Sequence, residues 1–363
     1  MARLEWIEAG FYRIPLPEVL TDSTHGAMRA FEIVTARVRD ADGAEGVGYT
    51  FTVGRNGGAV HDTLAHEIAE LAVGEDADLI EALWRRVWWA LHYGGRGGPT
   101  VLALSAFDTA LWDLKAKRAG TALWRLLGGH DPRVPCYAGG IDLDLPLDAL
   151  LRQTDANLAR GFRAIKMKVG RPDLREDVER LAAIRAHLGH AFPLMVDANM
   201  AWTADEALER GRRLEQYGLY WYEEPTIPED VAGHARLERE METPIAVGES
   251  LHSPHEYRRY VEEEALAVLQ IDPITNGGIT ASLVALKMAD EAGLKTSSHY
   301  TDELSAHVLC ASDNPVYLEK HAFALDEYLQ EPQIVTNGRV RPTETPGTGL
   351  RFDEEKLSPY RAG

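Results

Sequence analysis

Cysteine is nearly absent: Cys136 and Cys310 are the only two among 363 residues, which excludes a disulfide framework and any zinc site built on several thiolates. Basic residues are outnumbered, 38 against 57 acidic ones, for a formal charge of −19. Such a surface repels phosphate backbones and anionic membranes, so nucleic acid is not an expected partner. No stretch approaches about 18 uninterrupted apolar residues. The first ten residues carry Glu5 and Glu8 instead of a basic start, so neither a membrane span nor a signal peptide is expected and the chain is read as cytoplasmic. There is no G-x-G-x-x-G, no Walker sequence and no H-x-H pair, which argues against a doubly wound nucleotide-binding sheet and against a metal-dependent hydrolase. Lysine is rare as well, with 8 residues beside 30 arginines.

With 45% hydrophobic and 26% charged residues, the chain is long enough for one large barrel and a smaller companion. Residues 31–38 (FEIVTARV) alternate apolar and polar positions and predict a half-buried strand, with a hairpin turn at Asp42-Gly43 before residues 46–52. Residues 59–93 and 100–118 carry helical periodicity, with Leu104, Phe107, Leu111 and Leu114 on one face. Strands followed by helices indicate an α+β unit over residues 1–125. From about Val134 the texture changes to eight short apolar runs, at residues 134–138, 164–169, 194–196, 219–222, 245–247, 267–271, 295–298 and 316–318. Helical segments separate them, one opened by a Thr203/Glu206 capping box. Repeated βα units of this kind predict a parallel α/β barrel of the TIM type over residues 126–325. The Pro-, Gly- and Thr-rich residues 326–363 are expected to pack back on the first domain.

A barrel of this type builds its site at the carboxyl ends of its strands. Those ends carry Lys166 and Lys168, Asp197 and Asn199, Glu223 and Glu224, Glu249, Asp272, His299 and Glu319. Neighbouring parallel strands lie about 4.8 Å apart, so one carboxylate each from Asp197, strand 4 and Glu249 can converge on a single ion. Hard oxygen ligands without thiolate or imidazole suit Mg²⁺. Period-two alternation leaves open whether the strand 4 ligand is Glu223 or Glu224. Lys166 and Lys168, at i and i+2, enter the barrel mouth together. Their mutual repulsion near a divalent cation favours a neutral amine, and a lysine of lowered pKa can take a proton near neutrality. Asp272 beside His299 would fix the imidazole tautomer and make a second acid or base across the site. His252, His255 and His307 are read as structural.

The K-x-K of Lys166 and Lys168, the VDAN of residues 196–199, the EEP of 223–225, the GES of 248–250, and Asp272 with His299 resemble the mandelate racemase subgroup of the enolase superfamily. The leading segment, with its AFDTALWDL at residues 106–114, is similar to that family's capping domain. The resemblance implies a (β/α)7β barrel with an α+β cap formed by the amino-terminal segment and the carboxyl-terminal tail. It implies Mg²⁺ on Asp197, Glu223 and Glu249, Lys168 as one acid/base and the His299–Asp272 pair as the other. It further implies Lys166 assisting Lys168, a protonated Glu319 hydrogen-bonded to the substrate carboxylate, and Asn199 as a substrate contact. The shared step is removal of the proton α to a carboxylate, and a homo-oligomer binding a small carboxylate is expected. Residues 92–98, 137–143 and 161–172 look most like acid sugar dehydratases of the galactarate and talarate type, with a racemase, epimerase or lactone cycloisomerase as the alternative. Polar groups around His25 and Tyr49 suit a polyhydroxylated substrate. The acidic run Tyr300-Thr301-Asp302-Glu303 argues against a dicarboxylate.

Overall fold

The computed structural model describes residues 2–323 and 325–363. It opens with an antiparallel sheet of β1 (Leu4–Asp22), β2 (Gly26–Asp40) and β3 (Glu45–Thr52). The hairpin expected at Asp42-Gly43 joins β2 to β3, held by the Asp40 carboxylate, which accepts from the amides of Asp42 and Ala44. β1 was not foreseen. It pairs along most of β2 and buries alternate side chains such as Tyr12, Ile14 and Leu16. Helix Pro99–Arg118 packs on the sheet with Leu104, Phe107, Leu111 and Leu114 buried. Gly46 and Gly48 of β3 make this approach feasible, because a Cβ at either would run into the helix carbonyls of Ala110 and Ala106. The helical periodicity read over residues 59–93 is broken: the chain leaves the helix after Ala72 and resumes at Ile80–Leu91. In the gap the backbone turns to β1, where Leu4 exchanges hydrogen bonds with Gly74 and Glu75.

Eight parallel strands follow in one closed ring: β4 (Val134–Gly139), β5 (Ile165–Lys168), β6 (Leu194–Asp197), β7 (Tyr222–Glu223), β8 (Ile245–Val247), β9 (Val268–Ile271), β10 (Lys295–Ser298) and β11 (Pro315–His321). β11 pairs back on β4, which closes the barrel. One helix links each strand to the next, so the unit is a (β/α)7β barrel beneath an α+β cap. Thr203 and Glu206 form the predicted capping box at Ala204–Leu214. Trp221, Met195, Tyr137 and Val268 fill the barrel interior, while a larger apolar layer lies between strands and outer helices.

The joints between cap, barrel and tail use the 106–114 segment. Asp108, fully buried, accepts from the amide and hydroxyl of Thr280 at the start of helix Gly278–Glu291. Asp113 accepts from the amide of Val47 in β3 and from the amide and hydroxyl of Thr348 in the tail. Leu350, Phe352 and Leu357 join the core of Tyr12, Ile14 and Tyr49, whereas β12 (Arg339–Val340) pairs antiparallel with β4. The tail therefore touches the barrel as well as the cap. Among the described residues no helix is long and apolar enough to cross a membrane.

Candidate active site

Strand register brings the charged residues together. Lys168 is the cross-strand partner of Asp197, and Asp197 of Glu223. One carboxylate oxygen each from Asp197, Glu223 and Glu249 lies within 4.8 Å of the others. Glu223, pushed up to about 8 by burial and by Asp197 and Glu319 against Lys166, shows how strongly the group resists carrying all its charges unaided. Three crowded carboxylates and no softer donor fit a hard divalent cation such as Mg²⁺. Of the two strand 4 glutamates, Glu223 belongs to this group and Glu224 does not. Glu224 has left-handed backbone (φ 38°) and is buried with neither oxygen hydrogen-bonded.

Lys166 Nζ lies 2.5 Å from Glu223 Oε1, 3.0 Å from Glu319 Oε1 and 3.4 Å from Asp197 Oδ2, while Lys168 Nζ lies 2.5 Å from Asp197 Oδ2. Both lysines thus sit against carboxylates. Burial opposes the charge on both, but Asp197 for Lys168, and Glu223 with Glu319 for Lys166, outweigh it and hold both above the usual range. Despite its burial, Glu319 is held far below the ordinary range by Lys166 and by His299, and its Oε2 accepts from the Tyr300 amide at 3.0 Å. Gly139 on β4 makes room for it, since any Cβ there would strike the Glu319 carboxyl.

His299 Nδ1 lies 2.9 Å from Asp272 Oδ2, and its Nε2 lies 3.4 Å from Glu249 Oε2. Burial works against the imidazolium, yet Glu249 and Asp272 push it up to about 10. Around the ring, β5 and β10 are separated by β4 and β11, so Lys168 and His299 reach the mouth from different sides.

Above these groups is a cavity of ≈ 220 Å³. Lys168, Glu249 and His299 lie at its charged end, and Met28, Phe51, Val53, Ile141 and Phe323 give it an apolar wall. His25 and Asn199, both read as substrate contacts, line it. Asn199 has left-handed backbone (φ 42°) and a buried, unpartnered Oδ1. His25 sits on the β1–β2 turn, its Nδ1 2.8 Å from Asp22 Oδ2, and that carboxylate raises its pKa. The turn is seated on the end of β6: the Ser23 hydroxyl donates to the Ala198 carbonyl and the Thr24 hydroxyl to that of Asn199.

Tyr49 is a correction. It is fully buried away from the cavity, donating its hydroxyl to Glu303, because β3 turns this side chain into the cap core. The acidic run after His299 is also accounted for internally. Asp302 pairs with Lys320 at 2.7 Å and Glu303 takes the Tyr49 hydroxyl, and neither lines the cavity. His307 is structural, accepting from the Trp124 amide and donating to the Thr348 carbonyl. His252, read as structural, instead lines the cavity and donates from Nδ1 to the Thr275 carbonyl. His321 was missed; it stands two residues after Glu319, and strand alternation alone would have placed both on one face.

The chain matches two family models, one described as the mandelate racemase / muconate lactonizing enzyme N-terminal domain over residues 16–128 and the other as enolase C-terminal domain-like over residues 149–356. It is 48% identical over 360 residues to 3,6-anhydro-alpha-L-galactonate cycloisomerase of Streptomyces coelicolor, covering 99% of this chain and 100% of that protein. It is 36% identical over 360 residues to L-talarate/galactarate dehydratase of Salmonella typhimurium, covering 97% and 90%. Among solved structures, a racemase from Streptomyces coelicolor with bound magnesium superposes with a TM-score of 0.97 at 48% identity, over 99% of this chain and 100% of that one. The Salmonella typhimurium L-talarate/galactarate dehydratase with Mg and L-lyxarohydroxamate superposes with a TM-score of 0.94 at 35% identity, over 99% and 93%.

Proposed function

Because the chain belongs to the enolase superfamily, mandelate racemase subgroup, we propose that it removes the proton α to the carboxylate of a sugar acid and expels the oxygen on the β carbon. The observation that carries this reading is the pairing of two acid/base groups, Lys168 and His299, with a convergent carboxylate group beside one cavity. Asp197, Glu223 and Glu249 would hold Mg²⁺. When bound, the ion supplies positive charge that stabilises the developing dianion of the substrate carboxylate. Lys168, once Asp197 is shared with a cation, takes or returns the α-proton on one side of the substrate. His299, oriented by Asp272, does so on the other. Lys166 lies against Glu223 and Glu319 and adds fixed positive charge near the carboxylate end. Phe51 of β3 and Phe323, just after β11, wall the cavity with apolar surface, which lowers the local dielectric and strengthens these interactions.

The leaving oxygen is best read as one tethered in a ring. In a 3,6-anhydro acid, loss of the C2 proton feeds its electron pair into a C2–C3 double bond as the C3–O bond breaks. The freed oxygen takes a proton and stays on C6 as a hydroxyl, so the resulting enol and its 2-keto-3-deoxy tautomer are isomers of the substrate. Two features support this over loss of water from an open-chain diacid. The 48% relative is a cycloisomerase. The cavity offers an apolar wall and no arginine among its lining residues for a second carboxylate. Dehydration, the reading favoured by residues 92–98, 137–143 and 161–172, is the second reading and is supported by the 36% identical dehydratase. The test is to incubate the enzyme and Mg²⁺ separately with 3,6-anhydro-L-galactonate, galactarate and talarate, following products by NMR and mass. A 2-keto-3-deoxy acid of unchanged mass from the anhydro acid supports cycloisomerisation. Water loss from the diacids alone transfers the assignment to dehydratase, and consumption of none of them overturns both.

A further inference from the structure

The mechanism above leaves His321 unused, although it sits against the groups that perform it. It stands at the end of β11, two residues beyond Glu319 on the same face of the strand. One ligand-capable atom each of His299, Glu319 and His321 lies within 4.8 Å of the others, and His321 lines the cavity with His299 and Asn199. Its ring is wedged between Tyr300, at 4.8 Å between centroids, and Phe323, at 4.5 Å and 70°, with the His299 ring 5.4 Å away. Its Nδ1 is buried and has no hydrogen-bond partner among the described residues. A buried polar nitrogen left unpaired costs about 1–3 kcal/mol, a cost that packing alone would have avoided with a phenyl ring.

Two occupants of that nitrogen can be set aside. A second cation shared with His299 and Glu319 would set its charge beside the Lys166 ammonium, 3.0 Å from Glu319 Oε1. A substrate carboxylate is served better by the nearby Lys166 and Lys168, which offer full charges, whereas burial together with His299, Lys168 and Lys166 keeps His321 neutral. A neutral imidazole presents one donor and one acceptor. That combination matches a hydroxyl, which can donate to one nitrogen or accept from the other.

We propose that His321 is a specificity-determining residue that hydrogen-bonds a hydroxyl of the sugar acid on the His299 side of the cavity, selecting hydroxylated over deoxygenated acids. The assignment rests on the sugar-acid reading. A site built around a buried hydrogen-bonding group rejects the analogue lacking the matching hydroxyl, because the group is then left unpaired.

The experiment compares wild type with His321→Phe, which keeps the aromatic packing and removes both nitrogens, and with His321→Gln, which keeps a donor and an acceptor. Each is assayed for kcat and KM on the sugar acid the wild type turns over, and for Mg²⁺-dependent α-proton exchange in D₂O on that acid and on its singly deoxygenated analogues. The expected result is that H321F loses about tenfold or more in kcat/KM, chiefly through KM, on the hydroxylated acid. It should also exchange one deoxy analogue as fast as wild type does, with H321Q recovering part of the loss. Should H321F fail to fold, His321→Leu gives the same reading. Equal losses on the acid and all analogues, or no loss on any, would overturn the assignment while leaving the proposed function standing. A wild type that neither turns over nor exchanges any sugar acid would overturn both.

Discussion

Lys168 and Asp197, partners across β5 and β6, hold each other at 2.5 Å, so the proposed base and a proposed metal ligand share one carboxylate. A cation at the carboxylate group competes with this ammonium for Asp197. Lys168→Met is accordingly expected to bind Mg²⁺ at least as tightly as wild type, measured by calorimetry, while turnover falls by about 10²–10⁴, the usual worth of a general base. Loss of Mg²⁺ affinity in K168M would show that the lysine supports the ion instead of competing with it.

The two glutamates of strand 4 differ in what they touch. Glu223→Gln removes a charge from the three-carboxylate group and should lower Mg²⁺ affinity by about tenfold or more. Glu224→Gln neutralises a carboxyl that burial, with Glu249 and Asp197, already drives toward its protonated form. Its Mg²⁺ affinity is expected to stay within about twofold of wild type. Titration of both variants with Mg²⁺ settles the comparison, and reversed effects would move the strand 4 ligand to Glu224.

Lys168 and His299 enter the mouth from different sides, so each should exchange the α-proton of one configuration. In D₂O, K168A and His299→Asn are expected to retain deuterium incorporation for opposite stereochemical series while failing to complete the reaction. Asp272→Asn keeps the imidazole but removes the charge at 2.9 Å from its Nδ1. It should lower kcat by about 10²-fold or more and leave Mg²⁺ binding unchanged. Wild-type rates in both H299N and D272N would remove the pair from the mechanism.

Asp108 gives stability a pH dependence of its own. Burial pushes its carboxyl up to about 7 against the hydrogen bonds from Thr280. A folded-state pKa above the unfolded one means the folded chain holds the proton more firmly. The stabilisation is then complete below about pH 4 and is lost as pH rises through about 7. Asp108→Asn should flatten that decline in thermal unfolding experiments. At low pH it should cost about 1–3 kcal/mol for the disturbed contacts to Thr280. An unchanged pH slope in D108N would assign the decline to other groups.

The barrel was legible because each of its strands is a short apolar run between amphipathic helices, and because a strand end must be polar where it meets the mouth. β1 was not, since its alternation is interrupted by Pro15 and Pro17 where its pairing with β2 shifts register. Residue types announced the charged groups, but their protonation was decided by partners far along the chain. Lys168 and Asp197 are 29 residues apart, and Lys166 and Glu223 are 57. The protonation of these lysines and of Glu319 was not legible for that reason. Tyr49 failed for another: a polar tip near a cap loop says nothing of which way the strand turns it, and Glu303, which receives its hydroxyl, lies 254 residues away.

The β1–β2 turn is fastened to the barrel through the hydroxyls of Ser23 and Thr24, both of which donate to main-chain carbonyls. Carbonyl oxygens are the same whatever side chains surround them, so this fastening is blind to the barrel's own sequence. A graft that retains hydroxyls at those two positions can therefore carry a foreign turn, with a different side chain in place of His25, onto unchanged catalytic machinery. The wall that meets the substrate is free to drift or be exchanged while the proton-transfer groups beneath it stay fixed.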